Sequence, residues 1–295
     1  MRSNQFNIIP IKAKTLLGHV KQPDKWFGLK YNMNLYRGCQ HQCIYCDTRS
    51  ECYQIEDFEH EILFKENAIE LLRRELAAKR VIGTIGLGSM NDPYQPVETR
   101  LQLTHQALEV VAEFGFPLHI ITKSDLVLHD LELLKKIDRV YATVSFTITT
   151  TDDELAKLIE PGAPPPSARY AAMKILSENG IQTGISMMPI LPFLEDNIEN
   201  ITAIVNQAQL AGVKYIIPAF GMTMRNRQRE YFYSKLAEHF PGLKQKYIQK
   251  FGNKYSCTAN SYQELKQVFE TLCARYEICT RIIPFVKQEE QLSLF

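Results

Sequence analysis

Between residues 66 and 218, short apolar runs alternate with longer stretches in which apolar residues recur every three or four positions. The first pattern reads as buried strand, the second as amphipathic helix with one face on a core. Six strands are predicted: Tyr31–Tyr36, Val81–Leu87, Leu118–Thr122, Val140–Phe146, Ile181–Met187 and Val213–Pro218. Between them, a helix begins near Glu66 with Ile69, Leu72 and Leu76 on one face, and others cover Thr99–Phe114, His129–Ile137, Ala168–Glu178 and Asn197–Ala211. Gly115 and Gly180 supply helix stops, because glycine enters the left-handed conformation without steric cost. Strands alternating with helices of this length predict βαβ units and a parallel sheet. Six units are too few for a closed eight-stranded ring. The expected fold is therefore α/β, a partial (β/α)6 TIM-like open barrel.

The flanks differ from this core. Residues 1–30 are polar and mixed and show no helical period, so they read as a lead-in to a core over residues 31–224. Residues 225–286 look mostly helical, with segments at Asn226–His239 and Tyr262–Tyr276 that would cover the open side of the barrel. A tail of residues 287–295 follows.

Composition narrows the function classes little. The 295 residues carry a net charge of +1, so no global basic field advertises nucleic acid, although a local groove can hide in a balanced total. There is no run of about 18 apolar residues for a membrane span, and Met1–Lys30 lacks the apolar core of a signal peptide, so a cytoplasmic location is expected. Seven cysteines, an odd number with three bunched, suit a reducing compartment and metal ligation better than disulfides.

The bunched three are Cys39, Cys43 and Cys46, in a CxxxCxxC spacing. Three cysteinates on one loop can ligate three corners of a cubane cluster that ordinarily takes four, leaving one iron open to a ligand. A zinc site completed by His41 or Cys52 is the plainer alternative. With Tyr45 placed just before the last cysteine, the motif resembles the signature of the radical S-adenosylmethionine (SAM) superfamily. That resemblance implies a 4Fe–4S cluster whose open iron chelates SAM. One electron, from a low-potential donor such as flavodoxin or ferredoxin, then yields a 5′-deoxyadenosyl radical. It also implies an open (β/α)6 barrel with the cluster in the loop after the first strand.

A second loop runs from Gly86 to Glu98 as Gly-Leu-Gly-Ser-Met-Asn-Asp-Pro-Tyr-Gln-Pro-Val-Glu. With Glu160-Pro161-Gly162-Ala163-Pro164 and Arg169, it is similar to the spore photoproduct lyase, or DNA repair photolyase, group over about residues 30–225. The resemblance places Asn91 or Asp92 at the SAM amino group, Lys123 at the SAM carboxylate and Ser145 at a strand-end polar ligand position. Tyr45 and Arg169 join this cofactor-binding set, Arg169 either directly or as a partner of Glu160. Two positions depart from the lyase, which has a hydrogen-donating cysteine where Ser89 stands and a relay tyrosine where Asp47 stands. Tyr94, Cys52 and Cys257 are the candidates to take over the relay. The implied activity is DNA repair by a lyase-type radical reaction. Modification of RNA, a peptide or a small metabolite stays open, as does a non-catalytic iron–sulfur module that binds DNA.

The remaining signals are weaker. Cys52, Cys257, Cys273 and Cys279 could hold an auxiliary cluster, but Cys273 falls in the apolar period of its helix and no CxxC pair anchors one. His105 and His119 read as structural. Arginines and tyrosines mingle over Met224–Tyr233, as a nucleic-acid groove or a solvated helix start would have them. The final residues Gln291, Leu292, Ser293, Leu294 and Phe295 resemble the bacterial sliding-clamp-binding peptide, which implies the DNA polymerase clamp as a partner.

Overall fold

The computed structural model describes residues 6–21 and 26–286. Six parallel strands form its centre: β1 (Tyr31–Met33), β2 (Ile85–Leu87), β3 (Leu118–Thr122), β4 (Ala142–Thr147), β5 (Gln182–Met187) and β6 (Tyr215–Pro218). Each pairs with the next in chain order, and an antiparallel strand, Leu17–His19, borders β1. Among the described residues no pairing joins β6 back to that edge, so the sheet stays open, as expected.

The two faces of the sheet differ chemically although both are buried. Ile85, Leu118, Ile120, Val144, Phe146, Ile185 and Ile216 belong to one apolar core with Leu108, Val111, Met173, Ile204 and Val205 of the surrounding helices. The alternate residues, with opposite side-chain direction, are small or polar: Gly86, His119, Thr143, Ser145, Gly184 and Tyr215. A Cβ on Gly184 would stand 2.0 Å from the Tyr215 ring, so glycine there lets that ring cross the interior. The Tyr215 hydroxyl meets Thr143 Oγ1 at 2.9 Å and Ser145 Oγ at 2.7 Å, and Ser145 Oγ meets His119 Nε2 at 2.8 Å. The lower barrel is thus filled by a hydrogen-bonded layer, which keeps ligand space near the carboxyl ends of the strands.

Several elements correct the sequence reading. The stretch expected to be one strand over Tyr31–Tyr36 divides: Tyr36–Arg37 leaves the main sheet to pair with Glu61–Lys65, which also pairs with Asn7–Ile11. Two short strands therefore lie within residues 1–30, where too few residues alternate to show a period. The helix expected over Thr99–Phe114 breaks at Gln102, whose φ of 49° ends Glu98–Leu101 before Leu103–Phe114 begins. Asp153–Ile159, in a stretch for which no element is predicted, is helical, and the Asp152 carboxylate caps it, accepting from the amides of Glu154 and Leu155. Beyond β6 the described residues form three helices rather than two, Gln228–His239, Leu243–Phe251 and Tyr262–Arg275, with an antiparallel pair of strands, Gly221–Thr223 and Ser256–Thr258. Among the described residues no helix is long and apolar enough to cross a membrane. The tail peptide Gln291–Phe295 lies outside the described residues.

Candidate active site

A cavity of about 650 Å³ opens at the carboxyl ends of the strands, with Cys39, Cys43, Cys46, Asp92 and Lys123 in its wall. Parallel β/α folds place their chemistry at this end. The cysteine loop leaves the small sheet at Arg37 and is clamped on every side. Gln42 adopts a left-handed conformation, and its Nε2 donates to the carbonyls of Cys39 at 2.9 Å and Phe58 at 2.8 Å. The amide of Gln40 donates to Gln95 Oε1 at 2.9 Å, while Gln40 Oε1 accepts from the Val97 amide at 2.6 Å. The Glu160-Pro161-Gly162 turn docks from the other side: the Ile44 amide donates to the Ile159 carbonyl at 2.9 Å and the Gly162 amide to that of His41 at 3.0 Å. A Cβ on Gly162 would lie 2.1 Å from the Gln40 carbonyl oxygen, so this docking requires glycine.

The cavity wall is charged. Burial pushes the Cys43 thiol up to about 12 and the Cys39 thiol higher still. Without a cation, both stay protonated. Burial alone would raise Asp92, but His41, the Thr122 hydroxyl at 2.7 Å and the Lys123 amide at 2.7 Å hold its carboxylate at about 2. His41 Nδ1 stands 3.3 Å from Asp92 Oδ2. The Lys123 ammonium loses hydration, yet the Glu160 carboxylate, together with Cys43 whenever that thiol is ionised, outweighs the loss and raises its pKa. Glu160 itself accepts from the Tyr45 hydroxyl and pairs with Arg169 at 2.5 Å and Lys123 at 3.9 Å.

Three thiols on one loop facing one cavity are the donors a cubane takes at three of its irons, and soft thiolates suit iron–sulfur chemistry. No three Cys, His, Asp or Glu side chains among the described residues converge as a single-ion site, and a cluster, which takes each thiolate on a separate iron, does not ask them to. Residues 33–206 match the Radical SAM superfamily model. The chain belongs to the radical SAM superfamily. An uncharacterized protein of Mycobacterium tuberculosis is 31% identical over 259 residues, 84% of this chain and 75% of that one. Another, from Methanocaldococcus jannaschii, is 37% identical over 196 residues, 66% of this chain and 71% of its own. Among solved structures, spore photoproduct lyase complexed with dinucleoside spore photoproduct superposes with a TM-score of 0.63 at 16% identity, covering 91% of this chain and 79% of the lyase. That likeness is one of fold.

Within this radical SAM cavity the sequence-predicted residues divide. Tyr45, Asn91, Asp92 and Lys123 line it beside the cysteines, and so does Cys257. Asn91 Nδ2 donates to the Tyr36 carbonyl at 2.7 Å, which ties the second loop to the first. Ser145 is not in the wall; it belongs to the polar layer below, while Thr147, two residues further on the same strand face, reaches the cavity with Ser186. Arg169 also stands behind the wall, donating to the carbonyls of Thr147 at 2.9 Å and Pro164 at 2.8 Å besides pairing with Glu160. The Tyr94 hydroxyl is turned to Asp130 Oδ2 at 2.7 Å. Cys52 is exposed and lines a separate cavity of about 380 Å³ with Arg225 and Arg229. The two departures from the lyase are engaged: Asp47 accepts from Arg225 at 3.1 Å and Tyr53 at 3.0 Å, and Ser89 donates to Asn32 at 3.0 Å.

The expected pairing of Arg169 with Glu160 is present, but sequence reasoning missed Thr147, Ser186 and the contacts of Glu160 with Tyr45 and Lys123. Thr147 was open to inference, since extending the predicted strand by one residue past Phe146 carries it to the cavity rim. The Tyr45–Glu160 contact spans 115 residues, with no local pattern to signal it.

Proposed function

We propose that this chain reductively cleaves SAM at a 4Fe–4S cluster held by Cys39, Cys43 and Cys46, and applies that chemistry to damaged or modified DNA. The observation that carries the first half is the convergence of the three thiols with the Lys123 ammonium on one cavity at the strand ends. Bound together, the cluster and SAM supply a one-electron reductive cleavage of a carbon–sulfur bond. Lys123 would pair with the SAM carboxylate in a charge-assisted bond, and the Asn91–Asp92 turn would receive its amino group. Glu160 keeps Lys123 charged and holds the loop through Tyr45. The electron donor would be of the flavodoxin or ferredoxin class.

DNA is supported by the fold shared with a lyase whose solved complex holds a dinucleoside lesion, and by the tail Gln291–Phe295, whose sequence suits the sliding clamp. A clamp tether would raise the local concentration of enzyme near replicating or repaired DNA without a basic surface. Because Ser89 and Asp47 offer neither a thiol nor a phenol, hydrogen return would use another residue and the lesion need not be spore photoproduct.

The test is anaerobic reconstitution with iron and sulfide, then reductant and SAM, with 5′-deoxyadenosine as the readout. Wild type should form it, and the triple variant Cys39→Ala, Cys43→Ala, Cys46→Ala should not. A triple variant as active as wild type would refute the assignment. Ultraviolet-irradiated DNA should stimulate cleavage above undamaged DNA; stimulation by RNA or peptide instead would move the substrate to those classes. Protein truncated after Glu290 should lose clamp binding in a titration, and equal binding by both forms would remove the clamp as support for DNA.

A further inference from the structure

Arg49 follows the last cluster cysteine by three positions and is 3% exposed. Its guanidinium lies between two rings, 3.5 Å from the Tyr231 centroid and 4.5 Å from that of Phe58. Flat, weakly hydrated guanidinium tolerates such a sandwich, where a lysine ammonium would lose more hydration. Nε donates to the Cys43 carbonyl at 3.4 Å and Nη2 to Gln42 Oε1 at 2.5 Å. Gln42 passes that restraint to the Cys39 carbonyl. The carboxylate beside Arg49 is Glu59, 3.6 Å away and 46% exposed, so water screens it while the arginine stays dry. Arg49 does not line the cavity, so SAM would not touch it. Its charge nevertheless lies against the cysteine loop, with Nε on the Cys43 carbonyl.

We propose that Arg49 is a positioning residue that also sets the reduction potential of the iron–sulfur site, its buried positive charge favouring the state that holds one electron more. This rests on reading the cysteine loop as a cluster site. One electron arrives from a low-potential donor of the flavodoxin or ferredoxin class, and the net charge of the site falls by one. No bond to Arg49 forms or breaks and no proton moves. A fixed cation stabilises the more negative state by Coulomb attraction, most strongly where water is excluded, and local charge and hydrogen bonding are recognised levers on iron–sulfur potentials. Tyr231 belongs to the helix Gln228–His239, so the segment beyond the barrel contributes to the same effect.

The experiment is a redox titration of reconstituted protein at low ionic strength, followed by electron paramagnetic resonance, with iron and sulfide content measured on each sample. Arg49→Met should shift the midpoint to a more negative potential. Glu59→Gln, which removes a carboxylate that water already screens, should leave the midpoint close to that of wild type. An unchanged midpoint in Arg49→Met, with a full cluster present, would overturn the role of Arg49 and leave the cluster reading intact. If Arg49→Met loses its cluster, Arg49→Gln, which keeps a hydrogen-bond donor beside Gln42 without the charge, decides alone, and an unmoved midpoint there overturns the inference. A wild-type protein that binds neither iron nor sulfide overturns both readings.

Discussion

Glu160 Oε2 and Arg169 Nη2 meet at 2.5 Å with both side chains 1% exposed, behind the wall of the cavity at the strand ends. Burial pulls the Glu160 carboxyl upward, but Arg169 and Lys123 outweigh it and hold the group below its ordinary value of 4.5. Since Tyr45 donates to the same carboxylate, the pair ties the cluster motif to the helix Pro166–Glu178. Arg169→Met strands a buried charge and should cost about 3–5 kcal/mol in urea unfolding at pH 7. A carboxylate held low stabilises the fold above its unfolded pKa and loses that contribution as pH falls through its folded pKa. The gap between wild type and Arg169→Met should therefore narrow in acid. A gap independent of pH would remove Glu160 as its source.

Glu195 titrates the other way. Its side chain is fully buried, burial holds its carboxyl well above the usual range, and its Oε2 accepts from the Leu191 amide at 2.8 Å. With the folded pKa raised, the unfolded chain ionises first as pH rises through about 4.5, and stability falls from there upward. Glu195→Gln removes that ionisation. The variant should gain on wild type as pH rises above about 4.5, seen as a widening difference in unfolding midpoint that levels off once pH passes the raised folded pKa. A difference that stays constant as pH rises from 4.5 would mean that Glu195 does not ionise on unfolding as described.

Lys123→Met keeps much of the apolar stem and deletes the ammonium. If that ammonium holds the SAM carboxylate, affinity for SAM should fall about ten- to a hundredfold, the loss of one charged hydrogen bond at roughly 1.5–3 kcal/mol. Equilibrium dialysis against reconstituted protein measures this directly. Unaltered SAM affinity with a full cluster would remove Lys123 from the cofactor set.

At Gly162, an added methyl group meets the Gln40 carbonyl oxygen at 2.1 Å, which is backbone and cannot rotate away. Gly162→Ala should destabilise the protein by about 1–3 kcal/mol and lower the iron retained after reconstitution, because the turn and the cysteine loop separate together. Full iron retention would show that the docking does not hold the loop.

The sequence was readable where chemistry and spacing are local. CxxxCxxC needs eight residues of chain, and apolar runs such as Leu118–Thr122 declare themselves as strands because both faces are covered. Legibility failed where a neighbour comes from afar. Ser145 and Thr147 share a strand face, and only the Tyr215 ring crossing above Gly184 shows which of them lies below the cavity. Nothing in the sequence around Arg49 announces that Tyr231, 182 positions on, lies against it.

Hydrogen return offers the sharpest separation among the cysteines. Cys257 lies in the strand Ser256–Thr258, opposite Met222, and is the thiol outside the cluster motif that lines the cavity among the described residues. Burial pushes it up to about 11, so at neutral pH it keeps its S–H bond. An S–H bond splits homolytically far more easily than the O–H of Ser89, and the Asp47 carboxylate holds no hydrogen to give. Cys52 opens on the other cavity, and the Tyr94 hydroxyl is committed to Asp130. If Cys257 returns hydrogen to the substrate, Cys257→Ala should still cleave SAM but yield about tenfold less product per 5′-deoxyadenosine, equivalent to about 1.4 kcal/mol on the competing barriers. Cys52→Ala and Tyr94→Phe should leave that ratio unchanged. With irradiated DNA as substrate, chromatography of both products gives the ratio, and a Cys257→Ala enzyme indistinguishable from wild type would exclude this thiol as the donor.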